Sequence, residues 1–193
     1  LAGRRLMGVL FPGLVPQLAG LVFRPVLPTV LDAAYAIEAA SYPPDEAASR
    51  ADLELRMTQA SPYFWGAFNE QKLAQGDQSG ALCGFVCGTL TSADRLTAES
   101  MSRHEPAGTT LCIHSVVVTG QLRNRGVGSW ILRSYLERVA GAGTTEQVML
   151  LCKQPLEGFY TSAGFESLGD SGVVHGADPW TLMRLRLPTN KTS

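Results

Sequence analysis

Near its middle the chain sets a strand, a glycine turn and a helix end to end, and few architectures accept that order. Residues 111–119 are dense in β-branched side chains, the signature of a strand. Residues 120–125 form a polar turn. From Gly126 a helix is predicted to run to about Val139, with Leu132, Tyr135, Leu136 and Val139 on one face, and Gly141 and Gly143 end it. The joint reads Gln121-Leu122-Arg123-Asn124-Arg125-Gly126-Val127-Gly128-Ser129. A helix start presents unpaired backbone N–H groups and about half a positive charge. Gly126 and Gly128 let the backbone approach an anion without a Cβ between them, and Arg123 and Arg125 add charge. The segment therefore reads as a pyrophosphate cradle. An ordinary tight turn is the plainer alternative. The spacing is that of neither a GxxxxGK[ST] loop nor a dinucleotide-binding fingerprint.

The flanking sequence supplies the rest of a mixed α+β layer. A short strand is predicted over 22–26. Pro28 then opens a helix in which Val30, Leu31, Ala34, Tyr35 and Ile37 recur at helical spacing, and Pro43-Pro44 stops it. A second helix is expected around 47–59, strands over 63–68 and 81–90, and a hairpin loop over 69–80 between them. The polar stretch 91–108 carries a helical patch near 96–102. Downstream, a strand over 147–152, a short helix over 155–163, a short strand over 165–168 and an alternating last strand over 181–187 complete the chain. With 193 residues this is one domain, long enough to bury roughly two-thirds of its unfolded surface. The division is an N-terminal arm over 1–21, a folded domain over 22–188 and a tail over 189–193.

Composition narrows the function classes. Apolar residues make up 45% and charged residues 17%, which excludes a disordered chain. A formal net charge of -1 speaks against a nucleic-acid protein, which would carry a basic stripe. The four cysteines, Cys83, Cys87, Cys112 and Cys152, form no CxxC pair and the histidines are scattered, so no metal site is predicted. Free thiols fit a reducing compartment, and the cytoplasm is the expected location. No run has the length of a membrane helix. The acid-poor arm with Arg4-Arg5 reads as an irregular start or as the remnant of a targeting segment, in which case a plastid is the destination. The Asn190-Lys191-Thr192 triplet is a chance sequon in such a protein.

Several segments resemble a known family. Arg123-Asn124-Arg125-Gly126-Val127-Gly128 is similar to the [Arg/Gln]-x-x-Gly-x-[Gly/Ala] signature of the GNAT acetyltransferases. Gly158-Phe159-Tyr160-Thr161-Ser162-Ala163-Gly164-Phe165 resembles their FYxxxGF element. Leu96-Thr97-Ala98-Glu99-Ser100 with His104 and Pro106 looks like a stretch of the arylalkylamine N-acetyltransferase branch. Ile113-His114-Ser115-Val116-Val117-Val118 looks like its active-site strand, and residues 41–49 like a loop of its fungal-type members. The likeness spans about Phe23 to Leu187. It implies a GNAT fold, a central, mostly antiparallel mixed sheet flanked by helices. It implies acetyl-CoA as cosubstrate, without metal, and as acceptor the primary amine of an arylalkylamine such as serotonin, tryptamine or phenylethylamine, the alternatives being a polyamine acceptor on the same fold or a non-catalytic acyl-CoA-binding module. The expected protein is a monomer without nucleic-acid or membrane partners.

The resemblance also implies roles. The cradle residues Arg123, Asn124, Arg125, Gly126, Val127, Gly128 and Ser129 would hold the pyrophosphate of coenzyme A. Val116, Val117 and Val118 would pair with its pantetheine arm as an added strand, one of their amides taking the acetyl carbonyl. An alkylamine with a pKa of roughly 10.4 is neutral in about one molecule in a thousand or fewer at pH 7, a gap of about 4 kcal/mol, so a base is useful. His114 is the first candidate; a half-buried core histidine is the plainer reading. On a regular strand Cys112, His114 and Val116 share a face. Where the vertebrate pattern has a first histidine this chain has Cys112, so a two-histidine relay is in doubt. Glu46 is a second candidate base and Glu38 a weaker one. Tyr160 would protonate the departing thiolate. Tyr42, Pro43, Cys112, Val116 and Leu151 would line the amine site, and Pro44, Tyr63, Phe64 and Trp65 offer further apolar surface, although such aromatic runs commonly fill cores. Cys152 reads as a packed thiol. His104 and His175 receive no role.

Overall fold

The computed structural model describes residues 18–97, 100, 102–173 and 179–188. The predicted patch near 96–102 lies partly outside these, with Ala98 and Glu99 of the branch-like stretch, and so do residues 1–17, His175 and the tail over 189–193.

Seven strands of the described residues form one sheet in the order β1-β2-β3-β4-β5-β7-β6. They are β1 (Leu21–Pro25), β2 (Phe64–Asn69), β3 (Leu82–Thr91), β4 (Thr110–Val118), β5 (Gln147–Cys152), β6 (Glu166–Asp170) and β7 (Thr181–Arg186). Only β4 and β5 run parallel. One face is covered by α1 (Leu31–Ala39) and α2 (Arg50–Gln59). A long helix, α5 (Val127–Ala142), covers the other, with α6 (Glu157–Thr161) beside it. This is the predicted GNAT architecture.

Local chemistry sets the boundaries. Ser49 caps α2, its hydroxyl accepting from the Asp52 N–H while Asp52 reaches back to the Ser49 N–H, so the helix starts later than the apolar spacing suggested. Along α5, Val127, Ile131, Leu132, Tyr135, Leu136 and Val139 are buried at helical spacing. Each such side chain contributes at most about 1.5–3 kcal/mol. Gly141 lies within the helix, and left-handed Gly143 ends it. The expected hairpin loop over 69–80 is instead two short helices, α3 (Glu70–Ala74) and α4 (Gln78–Ala81). Asn69 accepts from the Lys72 N–H and Asp77 from the Gly80 N–H, so polar residues that signal a turn act here as helix caps.

Candidate active site

Two breaks in regular pairing shape the centre of the sheet. First, β4 pairs with β5 only from Thr110↔Gln147 to Ile113↔Leu150. Beyond that the strands part, and Val116–Val118 pair with β3 alone, through Val116↔Val86, Val117↔Phe85 and Val118↔Gly84. The β5-side edge of β4 is thus left without a partner strand beyond Ile113.

Second, the β3–β4 register slips: Cys87 faces Ser115 and Gly88 faces Ile113, so His114 is the extra residue of a bulge in β4. A Cβ on Gly88 would lie 2.6 Å from the Cys112 carbonyl oxygen, which is why glycine stands at this step. The bulge changes the parity of the strand. Leu111 and Ile113 pack in the α5 layer, and so do Val116 and Val118, while Val117 packs against α1 and α2. The expectation that Cys112, His114 and Val116 share a face is therefore corrected, because the extra residue turns Val116 to the opposite side. Ser115 instead faces α1, where it bonds Glu38.

The glycine turn sits at the mouth of the parted strands. Gly126 adopts φ +80°, a conformation that favours glycine, and Asn124 φ +58°. No side chain caps α5 and its first turn holds no acidic residue, so its N–H groups stand open to an anion. They border a cavity of about 380 Å³ lined by Val116, Val117 and Val118 on one side and by Asn124, Gly126, Gly128 and Ser129 on the other. Among the other predicted cradle residues, Val127 is buried in the core and Arg125 is exposed away from the cavity lining. Arg123 borders the cavity but is a brace. Its Nε donates to the Val118 carbonyl (3.0 Å), and its Nη2 to the Ala40 carbonyl (3.2 Å) and the Ser41 hydroxyl (3.0 Å), fastening the end of α1 to the cradle.

A second cavity, about 430 Å³, opens between the sheet and the loop that follows α1. His114, Glu46, Tyr42 and Leu151 line it, together with Glu38 and Tyr160. Tyr42, Val116 and Tyr160 border both cavities, so the two spaces meet there. Tyr160 is buried between Phe159 and Phe165 (ring centroids 4.9 and 5.8 Å), and burial, with Cys152 beside it, holds its phenol well above the usual range. Burial likewise lifts the Tyr42 phenol, whose oxygen accepts a hydrogen bond from the Val116 amide.

The proton on His114 can be placed. The Thr89 hydroxyl has one hydrogen, donated to the Ser100 carbonyl at 2.7 Å. The contact between Thr89 Oγ1 and His114 Nε2, also 2.7 Å, must therefore be an N–H donation from the ring. The neutral ring keeps Nδ1 as its basic nitrogen. Burial, followed by the nearby Arg56 cation, pushes the imidazole well below its ordinary pKa.

Glu46 forms an ion pair with Lys153 at 2.8 Å, and Lys153 also lies over the Trp180 ring, 4.1 Å from its centroid. Pro43 is exposed, Cys112 is buried, and neither lines the cavity. Phe64 packs in the core, Tyr63 accepts the Tyr135 hydroxyl on its carbonyl, and Trp65 stacks with Phe23 and Arg138, so that aromatic run builds structure. His104 accepts the Leu90 N–H at Nδ1. Sequence reasoning missed Arg56, Ser115 and Trp180 as cavity residues; the only signal was a polar side chain within a predicted helix or strand for the first two and an aromatic one just before the last strand for Trp180.

A model of the acetyltransferase (GNAT) family matches residues 31–165. The chain belongs to the GNAT acetyltransferase family. Among curated proteins it is similar to serotonin N-acetyltransferase of Mesocricetus auratus, 33% identical over 100 residues, covering 52% of this chain and 48% of that protein. The corresponding Macaca mulatta protein is 29% identical over 110 residues, covering 57% and 54%. The chain thus spans about half the length of the curated relatives it matches. Among solved structures it resembles the GphF GNAT-like decarboxylase in complex with isobutyryl-CoA, with TM-score 0.70 and 22% identity over 86% of this GNAT chain and 100% of that one. Arabidopsis thaliana NAA60 in complex with acetyl-CoA gives TM-score 0.69 and 17% identity over 86% and 99%. These structural likenesses concern the fold. No helix among the described residues is long and apolar enough to cross a membrane.

Proposed function

We propose that this GNAT protein transfers the acetyl group of acetyl-CoA to the primary amine of an arylalkylamine of the serotonin, tryptamine or phenylethylamine type, by direct attack within a ternary complex. One observation carries the reading. A groove bordered by an uncapped helix start and an unpaired strand edge meets a chamber of carboxylates and aromatics at Tyr42, Val116 and Tyr160. The open amides of α5 suit a pyrophosphate, and the edge of Val116–Val118, which lacks a partner strand on the β5 side, suits the amides of a pantetheine arm. The thioester carbon then falls where the spaces join. Tyr160 stands there as the acid for the departing thiolate. Burial keeps its phenol protonated, and the same desolvation raises the proton affinity of the thiolate it serves.

The chamber also bears on the acceptor. Glu38, Glu46 and Asp52 all line it, which suggests a polyamine at first sight. Glu46 is neutralised by Lys153 and Asp52 is committed to the cap of α2, so a single carboxylate is left for a single ammonium. Tyr42, Leu151 and Trp180 offer apolar surface for a ring.

Thiol release from acetyl-CoA in the presence of a panel of amines tests the reading. Tryptamine is expected to outpace spermidine. Tyr160→Phe should lower kcat about 100-fold with the acetyl-CoA Kd unchanged. Absence of turnover with every amine would favour an acyl-CoA-binding module, and full turnover by the variant would remove Tyr160 as the acid.

A further inference from the structure

Glu38 enters the chamber from α1 with a hydrogen bond missing. The residue is 2% exposed. Its Oε1 accepts from the Ala48 N–H at 3.1 Å and from the Ser115 hydroxyl at 2.9 Å. Its Oε2 is buried and has no hydrogen-bond partner. A buried carboxylate oxygen left in this state is costly, and folded chains rarely keep one without a use. Three titratable or charged groups from the packed elements act on it, Arg56 from α2, Cys87 from β3 and Tyr42 from the loop, and His114 of β4 lines the same chamber. Arg56 does not close the gap, because its Nη1 contact is the Cys87 sulfur at 4.0 Å. Burial outweighs the Ala48, Ser115 and Arg56 contributions and holds the carboxyl above the ordinary range. Such a shift brings a carboxylate nearer to what a base at neutral pH requires.

We propose that Glu38 is the counter-charge for the substrate ammonium and the acceptor of its proton, with Ser115 holding the carboxylate toward the chamber. The inference rests on the acetyl-transfer reading above. One N–H bond of the ammonium breaks as an O–H bond forms on Glu38 Oε2. The freed electron pair on nitrogen attacks the thioester carbon, the C–S bond breaks, and the thiolate takes the Tyr160 proton. The second nitrogen proton, lost as the adduct collapses, restores the phenol through solvent, and Glu38 returns its own proton to solvent. His114 fits a supporting part: it is neutral, its Nε2–H is held by Thr89, and it occupies the bulge that turns Ser115 toward Glu38.

Two acceptors of like shape test the idea, phenethylamine and 2,2-difluorophenethylamine, the second far less protonated near pH 7 because fluorine withdraws charge from nitrogen. Glu38→Gln keeps an acceptor for Ala48 and Ser115. It should cost about 100-fold in kcat/KM for phenethylamine but less than about 10-fold for the difluoro compound, with the acetyl-CoA Kd unchanged. Equal losses for both amines, or none, would overturn the proposal, whereas wild-type protein that acetylates neither amine would instead refute the transfer reading. Should the variant fail to fold, Ser115→Ala decides. The lost donation favoured the ionised carboxylate, so the acid limb of the wild-type kcat/KM profile should move to higher pH. A limb that stays in place or moves down would overturn the assignment.

Discussion

The two cavities that meet at Tyr160 are built from different materials. The groove at the start of α5 is made of backbone: helix amides, a strand edge, and a glycine whose φ of +80° keeps the turn open. The chamber beside it is made of side chains from α1, α2, β4, β5 and the segment before β7, positioned by a one-residue bulge. In the proposed transfer, backbone would recognise what every coenzyme A thioester shares, and side chains what differs among amines. A change in the groove should therefore affect all acceptors alike, and a change in the chamber should redistribute them.

Gly128→Leu makes the sharpest cut. A Cβ at this position would meet Val118 and Phe159 no closer than 3.6 Å, so the domain should keep its thermal midpoint. The longer side chain, however, projects into the groove over the open amides. Loss of two or three charge-assisted hydrogen bonds, each about 1.5–3 kcal/mol, predicts an acetyl-CoA affinity lower by about a thousandfold. Titration calorimetry measures it, and the relative rates for tryptamine and spermidine should not change. A variant that binds acetyl-CoA normally would show that the amides of α5 do not hold it.

The same contrast explains what the amino-acid order made legible. The groove is local: nine consecutive residues just after the strand carry its glycines and its helix start, and its position could be read directly. The chamber is not local. Glu38 and Ser115 are 77 positions apart, and nothing in either neighbourhood announces their contact. The alternation rule failed at His114 because a bulge depends on how β3 sits against β4, with Gly88 admitting the Cys112 carbonyl. Arg123 was legible as a cation near the cradle, but its service as a brace to Ala40 and Ser41 appears only once α1 is packed. Asn69 and Asp77 were legible as members of a polar loop, and only their bonds show that they start helices.

Lys153→Met sharpens the comparison from the chamber side. The ammonium that neutralises Glu46 would be gone, leaving a second uncommitted carboxylate beside the first. One new charge-assisted bond to a diamine predicts a rise of about 10-fold in the spermidine-to-tryptamine ratio of kcat/KM. The acetyl-CoA Kd should be unaffected. Glu46 would also lose its 2.8 Å partner in a largely buried site, and a stability loss of about 1–3 kcal/mol should appear in a denaturant titration. An unchanged ratio would mean that charge in the chamber does not select the acceptor.

The smallest expected effect probes the boundary between the two materials. The Tyr42 phenol oxygen accepts the Val116 amide, and both residues border the two cavities where they meet. In the proposed transfer, an acetyl carbonyl held on that amide would displace the phenol. Tyr42→Phe removes the competitor and leaves the ring against the chamber. A neutral hydrogen bond is worth about 0.5–1.5 kcal/mol net, so acetyl-CoA should bind roughly 2–10-fold more tightly to the variant while coenzyme A, which has no acetyl carbonyl, gains nothing. Equal gains for both ligands would place the effect elsewhere in the groove. A loss for acetyl-CoA alone would mean that the Tyr42 hydroxyl itself contacts the acetyl group, and the boundary between backbone and side-chain recognition would then lie on the groove side of Tyr42.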